Sequence, residues 1–221
     1  DILEKNIFDI HKYFQNKNNF EIIVIDDGSA DDTLKTLRAL KLNNLIILKN
    51  NQNIGKGYSI IKGVLKSKGD LILQTDADLS APITEFEKLF KKYKKGYDFV
   101  IGSRSTSNSK VKTKQNFLRI ILGKFFNILT YFILNLNYND TQCGFKIYNS
   151  MKLKNIIKLF KVKKFCIDVE ILYLAKIKKY KVIEEGIIWN DKKNSKVNLI
   201  KDPLNMFVDL VKIKFHKYKL N

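Results

Sequence analysis

Arginine is scarce in this chain of 221 residues: of 41 basic residues only Arg38, Arg104 and Arg119 are Arg. Sequence-specific nucleic-acid readers lean on the arginine fork, so the scarcity argues against such a module. Two Cys cannot build the disulfide framework of a small secreted domain or a four-Cys zinc module. Two His, at opposite ends of the chain, argue against a His-rich metal site or a His-based triad. Two Pro and ten Gly exclude collagen-like and proline-rich material. Long apolar runs are also missing. No stretch of 18 residues is free of charge, and the nearest approach to a membrane span, Phe117 to Leu134, is interrupted by Arg119, Lys124 and Asn127.

What is present is ordinary globular material, 45% hydrophobic and 29% charged, enough for a sizeable core in one domain over residues 1–221. The formal charge of +19 favours an anionic partner: a phosphorylated substrate, an anionic membrane surface or nucleic acid. Nearly all of it is Lys, so a solvated lysine coat explains much of the excess. No signal peptide and no initiator Met open the chain, and the sequence is expected to be a fragment lacking an upstream segment.

Short apolar runs alternate with helical patterns through the first half. The runs at Glu21–Ile25, Leu45–Leu48, Leu71–Leu73 and Asp98–Ile101 read as strands, with helices at Ile2–Phe14, Leu34–Leu40, Tyr58–Lys66 and from Ser80 to Tyr93. Ser80 reads as the cap of the last, with Pro82 in its first turn. The alternation predicts an α/β fold, a mostly parallel sheet with helices on both faces, whose functional loops lie beyond the carboxyl ends of the strands. The second half reads as a polar stretch over Ser103–Gln115, a long apolar helix, a compact polar motif over Asp140–Lys146, a helix over Phe165–Lys179, a strand over Val182–Trp189, a polar loop over Asp191–Asn198 and a final amphipathic helix.

Four constellations follow strands. Asp76-Ala77-Asp78 places two carboxylates where they repel unless a cation sits between them; a hard divalent ion bridging to a diphosphate resolves that, and so does helix capping. Asp26-Asp27-Gly28-Ser29 suits a base or ribose contact, or a plain strand–helix corner. Asn53-Ile54-Gly55-Lys56-Gly57 suits a phosphate near a helix start, or a turn, and lacks P-loop spacing. Gly102-Ser103-Arg104 sets a rare Arg at a strand end, for a phosphate or a surface ion pair. Cys143 and Cys166 read as buried thiols, with a disulfide between them left open.

Together these residues, with Asp140-Thr141-Gln142-Cys143-Gly144-Phe145-Lys146, Phe165-Cys166-Ile167-Asp168-Val169-Glu170 and Trp189 followed by Ser195-Lys196, resemble the family-2 glycosyltransferases of the GT-A fold. The second group of motifs is similar to the branch that glycosylates polyprenyl phosphates, dolichyl-phosphate β-glucosyltransferases above all. The resemblance implies transfer of a hexose, glucose from UDP-glucose being favoured, to dolichyl or another polyprenyl phosphate with inversion. It implies that Asp76 and Asp78 hold Mg²⁺ or Mn²⁺ and the diphosphate. Asp26, Asp27 and Lys56 would contact the nucleotide sugar. Arg104, Lys146, Gln142 and Lys196 would face phosphates or the acceptor pocket, and Asp140, Asp168, Glu170 and Arg104 would form the catalytic group. The family's first strand carries a Pro-x-Tyr-Asn-Glu-like motif that nothing before Glu21 matches, so the sheet is expected to lack that strand.

A lipid acceptor implies a membrane-associated enzyme, at the cytoplasmic face of the endoplasmic reticulum in a eukaryote or of the inner membrane in a bacterium. Residues 115–136 and 203–219 suit helices lying in an anionic lipid interface, or ordinary core-covering helices. The competing readings are another acceptor on the same fold, an inactive truncated relative, a phosphatase using Asp76 and Asp78, and a basic nucleic-acid-binding module; no nucleic-acid partner is expected.

Overall fold

The computed structural model describes residues 2–17, 19–113, 117–192 and 201–219. Helix α1 (Ile2–Phe14) leads into β1 (Ile22–Asp26), α2 (Thr33–Ala39), β2 (Leu45–Lys49), α3 (Lys56–Lys66) and β3 (Leu71–Gln74). A 3-10 turn (Ile83–Glu85) opens α4 (Phe86–Tyr93), followed by β4 (Phe99–Ser103), β5 (Lys110–Thr113) and α5 (Phe117–Leu134). Then come β6 (Lys146–Asn149), α6 (Ser150–Ile157), α7 (Ile167–Ile177), β7 (Val182–Gly186), β8 (Ile188–Asn190) and α8 (Lys201–Phe215).

The central sheet has the order β3-β6-β4-β7. Strands β3, β4 and β7 point one way, and β6 runs against both of its neighbours. The sheet is therefore mixed, three strands to one. Strands β1 and β2 form a separate parallel pair. Among the described residues β1 pairs only with β2, and β3 only with β6.

Alternation along the strands sends side chains to opposite faces. Phe99, Ile101 and Tyr148 join a core with α3, α5, α6, α7 and α8, while Val100 and Ile147 join a second with Ala81, Phe86 and Leu89. Each fully buried side chain of this size contributes roughly 1.5–3 kcal/mol. The first turns of helix α7 are enclosed, with Ile167, Val169, Ile171, Leu172, Leu174 and Ala175 all buried, so Asp168 and Glu170 sit inside the protein. A third cluster, Ile7, Ile22, Leu37 and Leu40, seats α1 and α2 on the β1–β2 pair.

Several sequence expectations are corrected. The polar stretch after Ser103 contains β5, paired with β8. The Val182–Trp189 strand is two strands that belong to different sheets, broken at Ile187. Strand β6 and helix α6 were not anticipated. Ser80 does not cap a helix: its backbone N–H and hydroxyl both donate to the Asp78 carboxylate, at 2.9 Å each, and the 3-10 turn starts at Ile83, after Pro82, with no side-chain cap. Both cysteines are free and buried, so the open disulfide is not formed.

Helix α5 is long and apolar enough, by length and composition, to cross a membrane, despite Arg119 and Lys124. At about 1.5 Å per residue it is roughly 27 Å long. It is mostly uncovered: Phe117 and Phe132 are 77% and 76% exposed, and Phe125, Ile128 and Tyr131 are exposed as well. The neighbouring α8 exposes Leu204, Val208 and Phe215.

Candidate active site

The central strand β6 organises the site because it begins with Lys146, which is paired in register with Gln74 at the end of β3 and Ile101 on β4. The loops that follow β3 and β4 carry Asp76 and Arg104. Lys146 is fully buried and donates to the Thr141 carbonyl at 3.1 Å and to Asp168 Oδ1. Asp168, in the first turn of α7, also accepts from Gln74 Nε2 at 3.2 Å, and Tyr148 donates to Gln74 Oε1 at 3.2 Å. Burial alone would push the Asp168 carboxyl up; the Lys146 and Lys56 ammonium groups override it and hold that carboxyl below the ordinary carboxylate range.

Helix α3 brings Lys56 into the same corner. Its first turn packs so closely on the chain before α7 that a Cβ on Gly57 would lie 2.7 Å from the Lys163 carbonyl carbon. The Tyr58 amide donates to the Lys163 carbonyl at 3.0 Å. Lys56 Nζ lies 3.2 Å from Asp76 Oδ1 and 3.6 Å from Asp168 Oδ2. Burial would lower the Lys56 pKa, but the two carboxylates raise it, and the amine stays charged. Gly144 forms the wall against Asp76: a Cβ there would sit 1.9 Å from Asp76 Oδ2.

Asp140 and Arg104 form a second corner. Arg104 Nε and Nη2 donate to the two Asp140 oxygens at 2.6 and 2.8 Å, and the Arg104 amide adds a third bond at 3.0 Å. The guanidinium lies over the Trp189 ring, 5.0 Å from its centroid. Burial opposes ionisation of Asp140, and Arg104 beside it reverses the balance, so its carboxyl is held low. Gln142 donates its amide to Asp140 Oδ1 at 3.2 Å, while its side-chain Nε2 and the Trp189 Nε1 are buried without hydrogen-bond partners. Cys143 lies between the corners, its thiol pushed up to about 12 by burial, which leaves it un-ionised and inert.

The expected residues divide accordingly. Asp76, Lys56, Asp168 and Lys146 form one linked group, and Arg104 with Asp140 form another joined to it through the Asp140–Lys146 motif. Asp27 accepts from Asn50 Nδ2 and from the Ile54 and Gly55 amides, at 2.8, 3.0 and 2.8 Å, so it pins the loop that carries Lys56. Burial raises its pKa, but these donors hold it low overall. Asp26 is buried, with Oδ1 on the Ser29 amide and Oδ2 without a partner. An open depression lined by Asp27, Gly28, Ser29, Asp31 and Asn53 lies beside them.

Glu170 stands apart from both groups. It accepts from the Lys161 and Val162 amides and the Tyr218 hydroxyl, at 2.8, 3.0 and 2.7 Å, and so ties the chain before α7 to the C-terminal segment instead of joining Asp168. Lys196 lies outside the described residues. The structure brings Gln74 to the site, and also Gly144, Trp189, Thr141 and Asn127, which the sequence named without giving them a role there. Asn127, on α5, donates to the Asn139 carbonyl at 2.5 Å and accepts from the Thr141 hydroxyl at 3.1 Å.

Asp76 and Asp78 offer hard oxygen donors, the chemistry that suits Mg²⁺ or Mn²⁺. Among the described residues no group of three or more His, Cys, Asp or Glu could hold a metal alone. Two carboxylates would leave most of an ion's ligands to be supplied from elsewhere.

The profile of glycosyl transferase family 2 matches residues 1–157. The chain belongs to this family. Within it, the chain is 34% identical over 219 residues to a dolichyl-phosphate beta-glucosyltransferase of Trichomonas vaginalis, covering 95% of this chain and 66% of that protein. It is 34% identical over 208 residues to the enzyme of the same name from Dictyostelium discoideum, covering 90% of this chain and 64% of that one. It is 33% identical over 216 residues to that of Saccharomyces cerevisiae, covering 89% and 65%. The chain spans just under two thirds of the length of these relatives. Among solved structures, glucosyl-3-phosphoglycerate synthase of Mycobacterium tuberculosis with Mn²⁺, UDP-glucose and glycerol 3-phosphate superposes with a TM-score of 0.66 at 14% identity, covering 96% of this chain and 73% of that one. Mannosyl-3-phosphoglycerate synthase of Rubrobacter xylanophilus superposes with a TM-score of 0.67 at 16% identity, covering 96% and 68%. The fold of this family member is therefore GT-A, an α/β sheet covered by helices.

Proposed function

We propose that the chain transfers glucose from UDP-glucose to dolichyl phosphate, with inversion, at a membrane surface and with a divalent cation at Asp76 and Asp78. The observation that carries this reading is the linkage of two corners, Asp76–Lys56 and Asp140–Arg104, through Lys146 and Asp168. The names of the curated relatives support glucose and dolichyl phosphate. The Mn²⁺ and UDP-glucose complex of a structural neighbour supports the donor and the ion.

The ion supplies charge neutralisation for the departing diphosphate. The depression beside Asp27 suits the nucleoside. A phosphate monoester has its second pKa near 6, so the acceptor arrives as a nucleophile and needs steering more than deprotonation. Arg104, fixed by Asp140 and Trp189, presents a planar donor edge for that phosphate. The unpartnered Gln142 and Trp189 N–H groups suit sugar or phosphate oxygens. Asp168, held ionised, orients Lys146 and Lys56; Asp140 holds Arg104, and Glu170 is a tether. Radiolabelled glucose is expected to pass from UDP-glucose to dolichyl phosphate and to stop with EDTA. Incorporation from GDP-mannose alone, or into soluble glycans alone, would refute the assignment.

The exposed apolar residues of α5 and α8, alongside Lys124, Lys212 and Lys214, support a lipid-facing platform for an acceptor that lives in a bilayer. Asn127 ties that platform to the Asp140 motif. Phe125→Glu with Phe132→Glu is expected to weaken flotation with anionic vesicles by about tenfold or more, since each buried Phe is worth roughly 1.5–3 kcal/mol. Thermal stability should hold, because both side chains are exposed. Undiminished flotation would sink the platform.

A further inference from the structure

The Lys56 ammonium touches two carboxylates that belong to different elements, Asp76 after β3 and Asp168 on α7. Asp168 Oδ2 has no hydrogen bond of its own, so Lys56 is its electrostatic partner on that side. Neither of the parties at Asp76 has much freedom. Asp27 fixes the Ile54 and Gly55 amides, and Gly57 is seated on the Lys163 backbone, so the base of the Lys56 side chain is set. Gly144 stands against the Asp76 carboxylate. The Asp78 carboxylate is oriented by the Ser80 amide and hydroxyl, one on each oxygen.

We propose that Lys56 is the resting counter-ion of the metal corner, so that a divalent cation gains Asp76 only by displacing the Lys56 ammonium. This rests on the reading that Asp76 and Asp78 hold the ion. Two cations on one carboxylate repel strongly at such short range. Lysine is suited to the exchange, because its charge is compact and rides on a flexible stem while its backbone stays still. When the ion arrives, Lys56 keeps Asp168 and turns its remaining donors toward the diphosphate. An arriving diphosphate thus gives both the ion and the displaced ammonium an anionic partner. Ion and nucleotide each strengthen the binding of the other, and the ion alone binds weakly.

The test is Mn²⁺ uptake, read from the electron paramagnetic resonance signal of free Mn²⁺, with and without UDP. Wild type is expected to bind Mn²⁺ weakly alone and much more tightly with UDP. Lys56→Gln should bind Mn²⁺ roughly twofold to fivefold tighter without UDP, the scale of one partly exposed ion pair, and should show a correspondingly smaller gain on adding UDP. Lys56→Arg keeps a cation on Asp76 and should bind Mn²⁺ no more tightly than wild type. If wild type shows UDP-dependent uptake and Lys56→Gln binds Mn²⁺ equally or more weakly without UDP, the counter-ion role is overturned and the metal reading stands. If wild type takes up no Mn²⁺ even with UDP, the metal reading falls and takes this inference with it. Lys56→Gln leaves Asp168 with Lys146 and Gln74, so it is expected to fold; should it not, tightened binding by Lys56→Arg overturns the proposal, and unchanged or weaker binding supports it.

Discussion

Gly144→Ala is expected to lower the proposed glucosyl transfer by about a hundredfold to a thousandfold while leaving the protein folded. The added methyl would lie 1.9 Å from Asp76 Oδ2, 2.3 Å from Cγ and 2.6 Å from Oδ1. All three nearest atoms belong to one side-chain end, so the clash falls first on the Asp76 carboxylate, which rotates away. Gly144 does not adopt the left-handed conformation that would make any side chain costly there. The methyl therefore removes the carboxylate from its corner with little damage elsewhere. Losing one group that stabilises developing charge costs about 3–4 kcal/mol, which is the stated loss in rate. Thermal unfolding followed by circular dichroism should shift by only a few degrees. Gly123→Ala on α5 is the control: its Cβ would meet nothing within 4 Å, and the helix should gain roughly 0.5–1 kcal/mol. Wild-type turnover by Gly144→Ala would mean that Asp76 does not serve the reaction.

The corners that the sequence revealed are those that follow short, bounded apolar runs. Asp26-Asp27, Asp76 and Arg104 each stand at or just beyond the end of a strand, and turn residues marked where each strand stopped. Strand β6 was hidden because Lys146-Ile147-Tyr148-Asn149 has only two apolar-leaning residues and opens with a lysine, a residue rarely buried without a partner. Its partner Asp168 lies on a helix well downstream, and no local pattern joins the two. Glu170 was grouped with Asp168 because the motif contains both. Residues i and i+2 of a helix do not share a face, so once Asp168 turns to Lys146 its neighbour must turn elsewhere, and that much was readable from spacing alone. Asp78 and Ser80 show the opposite problem: both can cap, and the sequence does not say which donates and which accepts. Asn127 interrupts an apolar helix, and its two hydrogen bonds to the Asn139–Thr141 segment are what that interruption is for.

Asp168→Asn is expected to destabilise the fold by about 3–5 kcal/mol at neutral pH, because it strands a charge in the interior. The Lys146 and Asp168 side chains are 1% and 0% exposed, and without the carboxylate the buried ammonium keeps only neutral acceptors, the Thr141 carbonyl and the Asn amide oxygen. The deficit should depend on pH with a fixed sign. The folded Asp168 carboxyl titrates below its unfolded value, since Lys146 and Lys56 outweigh the effect of burial. Its contribution is therefore complete above the unfolded pKa of about 3.9 and is lost as the pH falls through the folded value. Urea unfolding at neutral pH should show the full gap between wild type and variant, and the gap should close in strong acid. Lys146→Met combined with Asp168→Leu should recover much of the lost stability, because a buried pair replaced by apolar groups leaves no orphan charge. Transfer activity should stay absent in the double variant, which separates the pair's electrostatic role in the site from its part in joining β6 to α7. A single Asp168→Asn variant within about 1 kcal/mol of wild type at neutral pH would show that Lys146 finds another partner, and that the junction of sheet and helix does not depend on this pair.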